Sequence, residues 1–111
     1  MIWTLRALFA AVLACMIVVT VWASQDRSVF TAFGDLVRDP WGLATLADAY
    51  FGFLTFYVWL AYKESRWSAR VFWFAFIMAF GNIAMALYLL LQLFRVPANA
   101  GVEAVLLRQP R

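Results

Sequence analysis

The sequence predicts an all-α fold, a three-helix transmembrane bundle with an interfacial helix as one reading of its first connection. Three observations predict it. Of the 111 residues, 67% are apolar and only 14% charged, where a soluble domain carries about 25% charged and about 45–50% apolar residues. The apolar residues gather into three runs, 5–23, 41–62 and 71–94, each near the length of about 20 residues that a spanning helix needs. Within those runs only Arg6 and Asp48 are charged. That segregation is what a hydrocarbon solvent demands, because a central Asp, Lys or Arg costs about 2.5–3.5 kcal/mol on insertion. The runs and their connections fill the chain, so 1–111 reads as a single membrane domain with no room for an extramembrane one.

Helix follows from the backbone. In hydrocarbon every N–H and C=O must be paired within its own segment or a closed barrel. The run ALYLLLQLF at 86–94 does not alternate as barrel strands do. The first span follows a short basic start, Met1 to Arg6. Val21-Trp22-Ala23 also reads as a signal-peptidase site, whose use would leave two spans; an apolar run longer than the 7–15 residues of a signal core favours retention. In the connection 24–40, Val29, Phe30, Phe33, Leu36 and Val37 recur at helical spacing, with Asp35 and Arg38 between them. This reads either as an amphipathic helix in the interface or as an irregular loop broken at Gly34. Asp39 followed by Pro40 signals a helix start, a side-chain cap and then Pro at the first helical position. The second connection, 63–70, is tight and carries Lys63, Arg66 and Arg70. The tail, 95–111, contains Pro97, Gly101 and Pro110 and is expected to be poorly ordered, apart from a short helix within 102–108.

The six tryptophans are expected to act as interfacial anchors. Trp3, Trp59, Trp67 and Trp73 fall near one end of the helices, Trp22 and Trp41 near the other, which makes two aromatic belts. Orientation follows the cations. With three spans, Arg6, Lys63, Arg66 and Arg70 share one side, and Arg27, Arg38, Arg95, Arg108 and Arg111 the other. Raw counts favour neither, and the short second loop is given most weight. The expectation is an N-terminus in the cytoplasm, a C-terminus outside, and a multi-pass protein of the bacterial inner membrane. Lys63, Arg66 and Arg70 are candidates for lipid headgroup contact.

Several chemistries are excluded. There is no histidine, which removes Ser-His-Asp and Cys-His catalysis and His-ligated metal or haem sites. The one cysteine, Cys15, can form neither an internal disulfide nor a redox pair and is expected to be a buried small hydrophobe. There is no glycine-rich phosphate loop. The pI near 9.5 is read as lipid contact and topology, not nucleic-acid binding, because the cations form no patch on a soluble face. No cofactor and no metal site are expected.

One face carries chemistry. Trp41, Thr45, Asp48, Gly52, Thr55, Trp59 and Tyr62 repeat at four and three residues, so they share one side of the second helix. All are small, polar or amphipathic, as helix–helix contacts in a bilayer prefer. The third helix offers Ala75, Ala79, Asn82 and Ala86. If the two helices are antiparallel across the second connection, residue i lies level with about residue 133 − i. Gly52 then meets Gly81, and Asp48 lies within a turn of Asn82. Gly52, Gly81, Ala75 and Ala79 are therefore the expected helix-packing positions. Asp48, Asn82, Thr45 and Thr55 are the candidate intramembrane polar or proton site. An intramembrane carboxyl defaults to a proton or substrate site, but with no second titratable group nearby a structural hydrogen bond to Asn82, Thr45 or a partner subunit is the favoured reading.

The stretch RDPWGLATLADAY at 38–50, then VWLAYKESRW at 58–67 and FGNIAMALYLLLQLF at 80–94, resembles the domain-of-unknown-function 1475 family. The resemblance covers about half of the chain, from Arg38 to Phe94. It implies a small multi-span membrane protein of bacteria and plants, with no assigned activity, substrate or cofactor. It also implies that Asp39, Pro40, Trp41, Asp48, Tyr50, Tyr62, Lys63, Glu64 and Trp67 are motif positions.

The expected function is that of a non-enzymatic membrane protein assembling through the polar faces of the second and third helices. Its expected partners are the bilayer and either further copies of itself or a larger membrane complex. The alternative is a half-size transporter acting as a dimer, with Asp48 as proton or substrate site. It resembles the three-helix sugar half-transporters in size, but lacks their Pro-Gln hinge. A lipid enzyme is disfavoured, because one carboxyl without histidine supplies no visible acid–base pair.

Overall fold

The structure, a computed structural model, describes residues 1–108. Pro110 and Arg111 lie outside the described residues. The chain forms α1 (Ile2–Asp26), α2 (Val29–Arg38), α3 (Pro40–Lys63), α4 (Trp67–Phe80), α5 (Asn82–Phe94) and α6 (Glu103–Leu106), with no strand among the described residues. Two helices are long and apolar enough to cross a membrane, α1 with 25 residues and α3 with 24. At 1.5 Å per residue they measure about 37 and about 36 Å.

The third apolar run corrects the expectation of a three-helix bundle. It is two helices, α4 of 14 residues and α5 of 13. Gly81 separates them at φ 58 and ψ −121, the values of the first central residue of a type II′ turn, which only glycine adopts freely. The Gly81 N–H closes α4 on the Ile77 carbonyl at 2.7 Å, and the Gly81 carbonyl accepts from the Met85 N–H at 3.0 Å. The chain then doubles back. The rings of Trp73 and Tyr88 lie 4.9 Å apart, whereas one continuous helix would separate them by about 22 Å. Each arm of this hairpin is about 20 Å long, short of the roughly 30 Å hydrocarbon core.

Two clusters hold the helices. Leu60, Ile77, Ala84 and Tyr88 are buried together, ringed by Phe53, Phe56, Tyr57, Trp59 and Trp73. Ile2, Leu93 and Val105 form the second, with Leu5, Phe9 and Val96 against them. The second cluster joins the start of α1, the end of α5 and α6. The start of α1 and the described tail through Arg108 therefore lie at one end of the bundle, together with the α3–α4 loop. The expectation that the third run crosses as one helix and leaves the tail at the far end of the bundle does not hold for the tail through Arg108.

At the other end the first connection takes the helical of its two readings, and the Asp39–Pro40 helix start is observed. α2 is helical through Gly34, and the Ser28 hydroxyl caps it by accepting from the Thr31 N–H at 3.2 Å. Its apolar side chains Val29, Phe30 and Phe33 are exposed. Asp39 Oδ2 accepts from the Gly42 N–H at 2.8 Å, with Pro40 in the first turn of α3. A Cβ on Gly42 would stand 2.5 Å from the Leu36 carbonyl oxygen, so this glycine lets α2 fold against the start of α3. Cys15 is exposed on α1, not buried as expected. The tail is docked instead of loose, with α6 inside the predicted 102–108 window.

Candidate functional site

The polar stripe of α3 faces away from the rest of the chain. Trp41, Thr45, Asp48, Gly52, Thr55 and Tyr62 are exposed, and only Trp59 turns partly inward. The threonine hydroxyls are satisfied within their own helix, Thr45 donating to the Trp41 carbonyl at 2.8 Å and Thr55 to the Phe51 carbonyl at 2.9 Å. The Asp48 and Asn82 side chains are exposed, and neither has a hydrogen-bond partner among the described residues, so the expected bond between them is not made.

The expected glycine pair is displaced by one residue. It is the Phe53 ring, not Gly52, that lies against Gly81, where a Cβ would come within 2.6 Å of Phe53 Cζ. Nothing lies within 4 Å of a Cβ built on Gly52. Ala75 and Ala79 are exposed as well. The level was right and the face was not, because one residue turns a helix by about 100°. Large rings choose the inward face of α3. Tyr50 and Phe53 meet edge to face at 5.1 Å, and Phe56 approaches Tyr88 at 6.2 Å. Tyr50 and Tyr57 send their hydroxyls to the α4 carbonyls of Met78 (3.2 Å) and Arg70 (2.9 Å).

The end that holds the start of α1 and the docked tail through Arg108 is built from the 58–67 motif. Lys63 is 9% exposed, and its ammonium donates to the carbonyls of Ala104 (3.4 Å), Leu107 (2.7 Å) and Val105. Trp59 Nε1 donates to the Leu106 carbonyl at 2.9 Å, and Arg108 Nε to the Tyr62 carbonyl at 2.6 Å. Glu64 Oε2 accepts from the Tyr88 hydroxyl at 2.7 Å, which ties α5 to the end of α3. Arg70 Nε donates to the carbonyls of Ala61 (2.9 Å) and Glu64 (3.0 Å), closing the α3–α4 loop. Arg6 reaches the Leu93 and Val96 carbonyls at 3.0 and 2.9 Å and lies over the rings of Trp3 and Phe94. Lys63, expected at lipid headgroups, is thus committed inward, and Arg70 partly so. Arg66 is exposed, and its side chain makes no hydrogen bond or ion pair among the described residues.

The Tyr88 side chain is buried in an aromatic box, its ring centroid 4.9 Å from that of Trp73 and 5.7 Å from that of Trp59. Tyr88→Phe removes one bond to a charged acceptor and is expected to destabilise by about 1.5–3 kcal/mol, read as a lower unfolding midpoint in mild detergent. Glu64→Gln keeps an acceptor and is expected to lower it less. Sequence reasoning missed Tyr88. The signal was a polar-tipped residue inside ALYLLLQLF, which becomes meaningful only once the chain folds back at Gly81.

The tryptophans divide into two roles. Trp3, Trp22, Trp41 and Trp67 are exposed near the two ends, while Trp59 and Trp73 pack around Tyr88. Beyond the end of α1, an open groove of about 960 Å³ is lined by Trp22, Val29 and Leu36 among others. There Arg27 bridges Asp26 (3.0 Å) and Asp35 (2.6 Å). These ion pairs are exposed and contribute little in water. Among the described residues no three acidic or cysteine side chains come together as a metal site would require.

No curated protein and no solved structure matches the chain. The family model for proteins of unknown function called DUF1475 matches residues 1–110, so α1 and the docked tail fall within the pattern along with the 38–94 motifs, and the chain belongs to that family.

Proposed function

We propose that this chain is a small multi-pass membrane protein that works without catalysis, as an assembly or accessory subunit whose α3 polar face seats a partner in the bilayer. The observation that carries the reading is the unpartnered stripe from Trp41 to Thr55 on a helix of spanning length. Of the residues in the most apolar 18-residue stretches of α1 and α3, only 0% and 6% are buried inside the chain. The core helix of a soluble protein would be largely buried. In hydrocarbon an exposed Asp48 is expensive, and small or hydroxyl-bearing neighbours such as Thr45, Gly52 and Thr55 favour close helix contact. A second copy of the chain, or a helix of a larger complex, would cover the stripe.

The test is assembly. Cross-linking and native mass measurement in mild detergent are expected to show a complex larger than one chain. Asp48→Leu is expected to reduce that complex several-fold, and Asp48→Asn less, because the amide still hydrogen-bonds. A strictly monomeric wild type, or a leucine variant that assembles as wild type does, would end the reading.

One observation favours a second reading, a half-size transporter acting as a dimer with Asp48 as proton or substrate site. The third run is interrupted at Gly81, and transporters commonly build their sites at interrupted helices. Proton-coupled uptake into liposomes that is lost in Asp48→Asn would select it.

A further inference from the structure

The α4–α5 hairpin redistributes the charges. Its return places Arg95 and Arg108 at the same end as Arg6, Lys63, Arg66 and Arg70. Glu64 and Glu103 are the acids of that end. The opposite end keeps Arg27 and Arg38, and there Asp26, Asp35 and Asp39 outnumber them. The near-even split obtained with three full spans becomes a strongly basic end facing a slightly acidic one. Arg66 and Arg95 are exposed, and their side chains make no hydrogen bond or ion pair among the described residues. Short-loop cations beside helix ends mark the cytoplasmic side, and the lipid surface on that side is anionic.

We propose that the basic end seats on the anionic cytoplasmic leaflet, with both chain ends in the cytoplasm and the α4–α5 hairpin entering and leaving the bilayer from that side. This rests on the membrane reading above. A backbone that turns inside hydrocarbon is tolerated where protein surrounds it, and here Gly81 is buried against Phe53. The occupant follows from charge complementarity. Two unpaired guanidiniums flank the places where the hairpin begins and ends, which suits phosphate-bearing headgroups.

Three single-cysteine variants in a Cys15→Ser background test the topology in a bacterial inner membrane, using a membrane-impermeant maleimide. Gln25→Cys is expected to label in intact spheroplasts. Ser65→Cys and Asn99→Cys are expected to label only after the membrane is opened. Labelling of Asn99→Cys from outside while Ser65→Cys stays protected would show the third run crossing, and would overturn the proposal. The inverse pattern, with Gln25→Cys alone protected, would overturn the orientation. Release of the chain by alkaline carbonate would instead overturn the membrane reading beneath it. For the lipid, the unfolding midpoint in vesicles is expected to rise by several degrees when phosphatidylglycerol replaces half of the phosphatidylcholine. That rise is expected to be lost in R66Q/R95Q. Equal wild-type midpoints in the two vesicles would overturn the headgroup contact.

Discussion

Gly81→Ala is expected to open the α4–α5 hairpin and drive residues 67–94 toward one continuous helix. Two effects act in the same direction. At φ 58 and ψ −121 a side chain is strained by about 1–3 kcal/mol, and the added Cβ would stand 2.6 Å from Phe53 Cζ. The straight alternative is relieved of a mid-helix glycine, worth about 1 kcal/mol relative to alanine. The variant therefore shifts the balance between hairpin and rod by about 2–4 kcal/mol, a large fraction of a small protein's stability. The rod would lose the Trp73–Tyr88 contact, the Glu64–Tyr88 bond and the Leu93–Ile2 cluster.

Spin labels at positions 66 and 95 read the change directly. In the wild type both sites lie at one end of the bundle. In a continuous helix they would stand about 43 Å apart. The variant is expected to move the distance distribution toward the longer value, or to broaden it with a clear loss of thermal stability. A short distance with an unchanged midpoint would mean that the tertiary contacts alone hold the turn.

What the sequence made legible was local. Asp39 and Pro40 announce a helix start through chemistry that acts within three residues. The apolar runs of α1 and α3 announce themselves by length. The fold-back at Gly81 was not legible, because a lone glycine in an apolar run reads equally as a tolerated helical residue. What decides it is a set of partners far away in sequence, among them Glu64 for Tyr88 and Ile2 for Leu93. The stripe on α3 was correctly seen as one small and polar face, but its direction was not. Stripe and ring-bearing face are both helical patterns, and Phe53, Phe56, Tyr57 and Leu60 bury more apolar surface. The motif from Tyr62 to Trp67 looked like topology determinants because cations at a helix end usually are. Its Lys63 instead fits between α3 and a tail whose docking no periodicity reveals.

Lys63→Met is expected to free that tail. A helix of four residues has no stability of its own, so α6 exists only because something holds it. The carbonyls of its last turn lack intrahelical donors. Here those of Ala104, Val105 and Leu107 accept from the Lys63 ammonium, and that of Leu106 accepts from Trp59 Nε1. The positive charge also suits a helix C-terminus. Methionine preserves most of the stem and removes every donor, so the loss is polar and not steric. At about 1.5–3 kcal/mol for bonds to a charged group, the undocked population is expected to rise roughly tenfold or more, since about 1.4 kcal/mol is a factor of ten. Limited trypsinolysis after Arg95 and Arg108 is expected to accelerate by that factor. Arg66→Gln, which touches none of these carbonyls, is expected to cleave at the wild-type rate. Unchanged cleavage in Lys63→Met would show that Val105 against Ile2 and Leu93 suffices to hold α6, leaving the lysine no part in it.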